Sequence, residues 1–313
     1  MRKRKLSLVQ GVQQPIVSLR SLDIKRLLCS LMSLLAFISH TSLALAQCEP
    51  ERRPPSSCPH GRLISTAMSP DAVSSLGMPG GEVQEPVADV TDFGATNTDE
   101  DDDTAAINCA IEAIKNHGNG QGTVFFPAGT YMVSSVTDFA SGAGSLRLES
   151  DIDYRGMGKT SRIKLADGQP ESTRMLSNQR ICRERNGRLI NVRNAKIMFL
   201  DFDGNRWEQN PGNDHQAGVF LEGAEGITIA HSSFHDFVGD GVYAYVKPFG
   251  TVWYPSRRIN VRDNEFYYIG RVAINFGEAI ESTAENNHIH NVTGHCFKIE
   301  VSNGAPSGVT RTI

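Results

Sequence analysis

Residues 234–246 read FHDFVGDGVYAYV, and residues 289–301 read IHNVTGHCFKIEV. In the first, Phe234 and Phe237 lead through Gly239-Asp240-Gly241 into the alternating run Val242-Tyr243-Ala244-Tyr245-Val246. In the second, Ile289 and Val292 lead through Gly294-His295-Cys296 into Phe297-Lys298-Ile299-Glu300-Val301. Phe234 and Val242 are as far apart as Ile289 and Phe297, so the segments align without a gap. Between them, Phe266 and Ile269 lead through Gly270-Arg271 into Val272-Ala273-Ile274-Asn275-Phe276, read here as a copy whose turn is two residues shorter. An earlier copy ends in Gly218-Val219-Phe220-Leu221-Glu222. Strands of period two inside a repeat of roughly 20 to 30 residues cannot each bury an apolar face alone; stacked as coils, they share one core. Asn264 and Asn286, just before Phe266 and Ile289, are read as turn residues.

Alternation sorts the side chains of these strands. Val219/Leu221, Val242/Ala244, Val272/Ile274 and Phe297/Ile299 point inward; Phe220/Glu222, Tyr243/Tyr245, Ala273/Asn275 and Lys298/Glu300 point outward. Coils stack about 5 Å apart, so residues distant in sequence share one outer face. Asp240, Arg271 and His295 lie on the preceding turns, with Asp240 and His295 two coils, or about 10 Å, apart. Carboxylate, guanidinium, imidazole, amine and phenol then meet on one surface. The candidate catalytic residues are Asp240, Tyr243, Tyr245, His295 and Lys298, and the candidate substrate-binding residues are Arg271, Asn275 and Asp214. Each also has a plain reading: Arg271 as the ion-pair partner of Asp240, His295 as a surface histidine, and the tyrosines as a platform on which sugars stack.

Towards the N-terminus, VTDFGA at 90–95 precedes the acidic run 99–103 and DDTAAINCAIEAI at 102–114. Ile107, Ala110, Ile111 and Ile114 follow helical spacing, Asp102 or Asp103 can cap the helix, and Gly118 stops it. GTVFFPAGTYMV at 122–133 then reads as two strands about a Pro-Ala-Gly turn. These three stretches, followed by LRLESDIDYRGMGKTSRIKLADG and FLDFDGNR, resemble the N-terminal signature of the pectate-lyase-like superfamily, which includes polygalacturonase- and rhamnogalacturonase-type hydrolases and mannuronan C5-epimerases. The resemblance implies an all-β fold, a single-stranded right-handed parallel β-helix with an N-terminal capping α-helix.

The resemblance also frames the chemistry. Epimerases and lyases of uronates neutralise a carboxylate, remove the C5 proton, and protonate the opposite face or the leaving oxygen. Family mannuronan epimerases carry Tyr-Gly-Phe-Asp-Pro-His after a Ser-Gly; here Asp240 stands in place of the Tyr, Tyr243 of the Asp and Tyr245 of the His. Glycoside hydrolysis needs paired carboxylates across the scissile bond. Of the polygalacturonase motifs there are partial echoes, in Asn213-Asp214, Gly239-Asp240-Gly241, Gly294-His295-Cys296 and Phe297-Lys298-Ile299, with altered spacing. Lyase or C5-epimerase chemistry on an acidic, uronate-containing polysaccharide is the leading expectation. A glycoside hydrolase with Asp214 and Asp240 as its carboxylates, and a non-catalytic binding or adhesive solenoid, are the alternatives.

The remaining features set the compartment. Arg2, Lys3, Arg4, Lys5, Arg20, Lys25 and Arg26 precede an apolar run from Leu27 to Ile38 and an Ala44-Leu45-Ala46 cleavage pattern, the order of a secretory signal peptide at 1–46. A secreted or periplasmic location follows, with no stable membrane insertion after cleavage. The whole chain has 31 basic and 35 acidic residues, net -4; removing 1–46 takes away seven basic and one acidic residue and leaves 24 against 34, or -10. Between Arg155 and Arg206 the balance reverses to 12 basic against 5 acidic residues, which suits an acidic polysaccharide; nucleic acid belongs to the wrong compartment. Residues 47–87, rich in Pro, Ser and Gly, read as a flexible linker, and 88–313 as the β-helix domain. Cys48 and Cys58 are candidates for a disulfide, with Cys109, Cys182 and Cys296 as buried, lone thiols. No Cys/His spacing marks a metal site and no cofactor is identified, Ca2+ remaining open at the acidic run 99–103. No C-terminal cap is recognisable after 301, so truncation, oligomerisation through the open end or a folded-over loop is expected there.

Overall fold

The computed structural model describes residues 58, 61, 63–64, 86–98, 100–136, 144–178, 183–185, 188–190, 192–212, 214–249 and 252–300. The 1–46 segment, Cys48, Cys182 and everything beyond Glu300 lie outside the described residues. Among the described residues no helix is long and apolar enough to cross a membrane.

The chain winds through three parallel sheets, adding one strand to each in turn. Sheet A holds 87–89, 122–125, 152–155, 196–198, 228–230, 260–262 and 283–285; sheet B holds 129–133, 161–165, 201–203, 233–237, 265–269 and 288–290; sheet C holds 144–147, 174–177, 217–222, 240–245, 272–277 and 295–300. Each strand pairs in parallel with its counterparts one coil below and one coil above. Six coils of a parallel β-helix result.

The register corrects one detail of the alternation. Val242 pairs with Ile274, and Ile274 with Phe297. The coil containing Arg271 therefore has no shortened turn; Phe266 to Ile274 spans the same distance in sequence as Phe234 to Val242. The inward pair is Ile274/Phe276, and Val272 lies in register with His295 at the start of the strand. The outward column becomes Phe220, Tyr243, Asn275, Lys298 and its neighbour Glu222, Tyr245, Gly277, Glu300. Spacing between successive coils also exceeds the expected range over most of the solenoid: Phe234 pairs with Phe266, 32 residues on, and Arg174 with Ala217, 43 residues on.

Inside, like side chains stack on like. Phe202, Phe234 and Phe266 are fully buried, with ring centroids 4.8 and 4.9 Å apart. Burial of each such side chain contributes about 1.5–3 kcal/mol. Turns stack too. A Cβ on Gly239, Gly270 or Gly294 would lie 2.1, 2.0 and 2.0 Å from the carbonyl oxygens of Gln216, Val238 and Arg271 in the coil below, so only glycine fits between sheets B and C. Between sheets A and B, Phe199, His231, Asp263 and Asn286 all take left-handed backbone. The turn ladder expected at Asn264 and Asn286 is formed by Asn264 and Asn287: Asn287 Oδ1 accepts from the Asn264 backbone at 3.1 Å, and Asn264 Oδ1 from that of Ser232 at 3.0 Å.

The N-terminal end is closed by helix α1, Thr104–Lys115, which lays Ile107, Ala110, Ile111 and Ile114 over the first coils. Asp102, not Asp103, serves the helix start: its Oδ1 accepts from the Thr104 N–H at 3.0 Å. Asp103 instead accepts from the Thr96 N–H at 2.7 Å. Cys58 is bonded to Cys109 on the buried side of α1, so neither the expected Cys48–Cys58 pair nor a lone thiol at Cys109 is found. Leu63–Ile64 adds an antiparallel strand beside Val87–Ala88. The 47–87 stretch is thus fastened to the domain at two described points rather than being linker throughout.

The expected basic sector disperses. Arg155 and Arg174 are buried, Arg162 pairs with Asp201 at 2.8 Å and Lys196 with Asp153 at 3.2 Å. Arg183, Arg185 and Arg188 lie on a two-stranded hairpin, Arg183–Arg185 and Arg188–Ile190, and Arg180 lies outside the described residues.

Candidate functional site on sheet C

Sheet C has the longest strands, and its outer face gathers most of the residues singled out by alternation. Asp240 is fully buried at the start of its strand. Arg271, on the turn of the next coil, donates from Nε to Asp240 Oδ1 at 2.8 Å and from Nη2 to Oδ2 at 2.5 Å. The Val272 N–H donates to the same Oδ1 at 3.1 Å. Loss of water pushes the Asp240 carboxyl upward, a shift that Arg271 and Arg174 only partly offset. Burial opposes the Arg271 charge, but its hydrogen bonds to Asp240 outweigh that and hold the guanidinium above its ordinary value. Asp240 thus holds Arg271 and has no exposed surface.

Arg271 also carries the site outward. Its guanidinium carbon lies 5.6 Å from the centre of the Tyr243 ring, and Nη1 is 3.3 Å from His215 Nδ1. His215 Nε2 in turn lies 3.6 Å from Asp214 Oδ1. Asp214 thus joins the group through His215, on the exposed rim. Tyr243 packs edge-on to Phe220 and tilts against Tyr245, with centroids 5.3 and 5.4 Å away. Burial, with Glu300 and Tyr245 nearby, pushes the Tyr243 phenol well above the ordinary tyrosine range. Gly277 leaves room for both rings, since a Cβ there would lie 2.8 Å from Tyr243 and 2.9 Å from Tyr245.

One coil on, Glu300 ties the column together. Its Oε1 accepts from Lys298 Nζ at 2.5 Å and its Oε2 from Asn275 Nδ2 at 3.0 Å. Burial raises the Glu300 carboxyl, but Lys298 and Asn275 outweigh it and hold it below the ordinary range. Asn275 Oδ1 is buried without a hydrogen-bond partner among the described residues. His295 starts the last strand, exposed, and is joined to the group through its backbone N–H, which donates to the Arg271 carbonyl at 2.7 Å.

Two residues of this face escaped the sequence reading besides His215. Arg174 lies below Ala217, which lies below Asp240. Its guanidinium carbon sits 4.9 Å from the Phe220 ring centre, its Nε has no partner among the described residues, and burial lowers its pKa to about 10. Glu300 was read as outward, without a role. The signals existed, as an arginine two coils below Asp240 and a histidine beside Asp214, but they become neighbours only once the register is known.

Sheet B carries a second charged face that the sequence reading left aside. Asp201 accepts from Arg162 Nε at 2.8 Å and lies 3.3 Å from His235 Nε2, while His235 Nδ1 is 2.8 Å from Asp236. Burial works against the His235 charge, but Asp201 and Asp236 raise its pKa overall. Asp201 is lowered, its burial outweighed by His235 and Arg162. Above this, His235, Tyr267 and His290 stack with centroids 4.8 and 5.4 Å apart.

Comparison with known proteins agrees with the coils. Residues 87–200 match the family described as rhamnogalacturonase A/epimerase, pectate lyase-like. Over those residues the chain is similar to this pectate lyase-like family. Among curated proteins, the chain is 28% identical over 217 residues to the mannuronan C5-epimerase AlgE3 of Azotobacter vinelandii, covering 68% of this chain and 11% of that protein. It is 30% identical over 217 residues to alginate lyase 7 of the same organism, covering 68% of this chain and 23% of that one. The A-module of the mannuronan C-5 epimerase AlgE4 superimposes with a TM-score of 0.54 at 24% identity, covering 67% of this chain and 53% of that structure, and supports the fold. The chain thus spans a small part of the length of the curated relatives it matches.

Proposed function

We propose that the chain is the β-helix of an exported enzyme that acts on a uronate-containing polysaccharide by lyase or C5-epimerase chemistry at the outer face of sheet C. The observation that carries this reading is the Arg271–Asp240 pair set beside Tyr243, with Arg174 and Lys298 on the same face. A uronate carboxylate needs cations to neutralise it before its C5 proton can leave. Lys298 and the outer edge of Arg271 supply them.

The two chemistries share their first step. A base takes the C5 proton, and the electron pair moves into the neutralised carboxylate. Tyr243, kept protonated by its surroundings, is suited to give a proton back. Delivered to the opposite face of C5, that proton inverts the sugar; delivered to the C4 oxygen as its bond breaks, it completes elimination. The imidazole of His215, beside this group, accepts the first proton. The names of the relatives, mannuronan C5-epimerases and an alginate lyase, support the same substrate class. A hydrolase using Asp214 and Asp240 draws less support, because Asp240 is sealed beneath Arg271.

Incubation with alginate and with polygalacturonate tests the proposal. A rise in ultraviolet absorbance from unsaturated uronate marks a lyase, and an altered uronate ratio by NMR marks an epimerase. New reducing ends without unsaturation, or binding with no product, would overturn it.

A further inference from the structure

Sheet B holds a cluster that the sugar chemistry does not use. His288 and His290 are two apart on one strand, so both side chains leave the same face. Glu265 is in register with His288 on the coil below, and Tyr267 with His290. The three side chains converge: Glu265 Oε1 lies 3.4 Å from His290 Nε2 and 3.9 Å from His288 Nδ1, and one ligand atom from each lies within 4.8 Å of the others. Ligand atoms about a tetrahedral zinc ion, at bonds of roughly 2.0–2.1 Å, stand about 3.3 Å apart.

We propose that Glu265, His288 and His290 form a binding site for a divalent transition-metal ion, Zn2+ in the first instance, clipping the fifth coil to the sixth. Two imidazoles and one carboxylate suit zinc and leave a coordination position for water or a ligand. They do not suit Ca2+, which takes six or more oxygens. The surroundings orient the ligands. Lys159 Nζ donates to Glu265 Oε2 at 2.5 Å, which fixes the carboxylate and leaves Oε1 to the metal. The Asn291 amide is 3.0 Å from His290 Nδ1; with the amide turned so that its oxygen accepts from Nδ1–H, the lone pair of Nε2 is free. Tyr267 stacks on the His290 ring and holds its plane. Access is open, since Glu265 and His288 also line a shallow depression with Gly158, Ser233 and Asn264.

Two other groups bring similar donors together and fit less well. In Asp203, His235 and Asp236, both ring nitrogens of His235 are taken by Asp236 and Asp201. Glu171, Asp214 and His215 offer one imidazole, and it faces Arg271.

The test is a titration of the chelator-treated full chain with Zn2+ by calorimetry and with Co2+ by visible absorption. The expected result is one ion bound per chain, a four-coordinate Co2+ spectrum, and an upward shift of Tm on adding Zn2+. His290→Ala, His288→Ala and Glu265→Gln should each weaken binding by more than about 100-fold, beyond the effect typical of an outer-shell change, while His215→Ala should leave it unaltered. Glu265→Gln preserves shape and covers the case in which a histidine variant folds poorly. Unchanged affinity in Glu265→Gln would mean a histidine pair alone, and Zn2+ binding no tighter than Ca2+ would mean no such site; either overturns the proposal.

Discussion

Asp240 and Tyr243 sit three residues apart, yet their surroundings differ: Asp240 is fully buried, and Tyr243 lies on the outer face of sheet C. Asp240 spends its carboxylate on Arg271 and the Val272 N–H. Asp240→Asn keeps the shape and removes the charge, leaving Arg271 uncompensated next to the buried Arg174. Breaking a buried pair costs about 3–5 kcal/mol; because Arg271 keeps 26% of its side chain in solvent, a loss near about 3 kcal/mol is expected in urea unfolding. A loss under about 0.5 kcal/mol, the range of an ordinary surface change, would remove Asp240 from its positioning role. Tyr243→Phe should do the reverse: unfolding little changed, turnover of a uronate polymer down by about 100-fold or more, the size of a general acid's contribution. Retained turnover in Tyr243→Phe would exclude its phenol as the proton donor.

At the scale of elements, stacking decides which residues become neighbours. The sheet C strands were legible because they alternate cleanly and because Gly239, Gly270 and Gly294 mark their turns. The middle coil was misaligned by two residues because Val272 and Ile274 are both apolar and share parity, so pattern alone could not choose between them; the Phe234–Phe266–Ile289 column chooses. The sheet B charges were missed for a related reason. Asp201, His235 and Tyr267 lie dozens of residues apart, and only parallel pairing brings them together. Their titration is predictable in sign. His235 has a raised pKa, so its contribution to stability is complete below about pH 6.5, the unfolded value, and fades as pH rises through the higher folded value. Asp201 has a lowered pKa, so its contribution is present above about pH 3.9 and is lost as pH falls through the lower folded value. Asp203, Asp236, Arg162 and Tyr267 share this field. Wild-type stability should therefore decline from about pH 6 towards about pH 8 by more than that of His235→Gln. Parallel pH curves for the two proteins would show that His235 does not carry the effect.

For the molecule, the α1 cap and the Cys58–Cys109 bond close one end of the solenoid. The helix was legible from Ile107, Ala110, Ile111 and Ile114. The disulfide was not, because Cys58 and Cys109 are separated by 51 residues and only folding brings them together. A bond closing a loop of that length contributes about 3–4 kcal/mol in the chain-entropy account. Cys58→Ser should lower the unfolding midpoint in denaturant to match, and an unchanged midpoint would show that the tether is not structural. The central claim concerns where along this solenoid a sugar chain lies. The most direct measurement is a crystal structure of the protein with a uronate oligosaccharide, mannuronate or galacturonate. The expected structure has a chain across sheet C, with a carboxylate in hydrogen-bond reach of Lys298 or Arg271 and a ring against Tyr243 or Tyr245. An oligosaccharide bound on sheet B, or held away from Arg271, Tyr243 and Lys298, would contradict it.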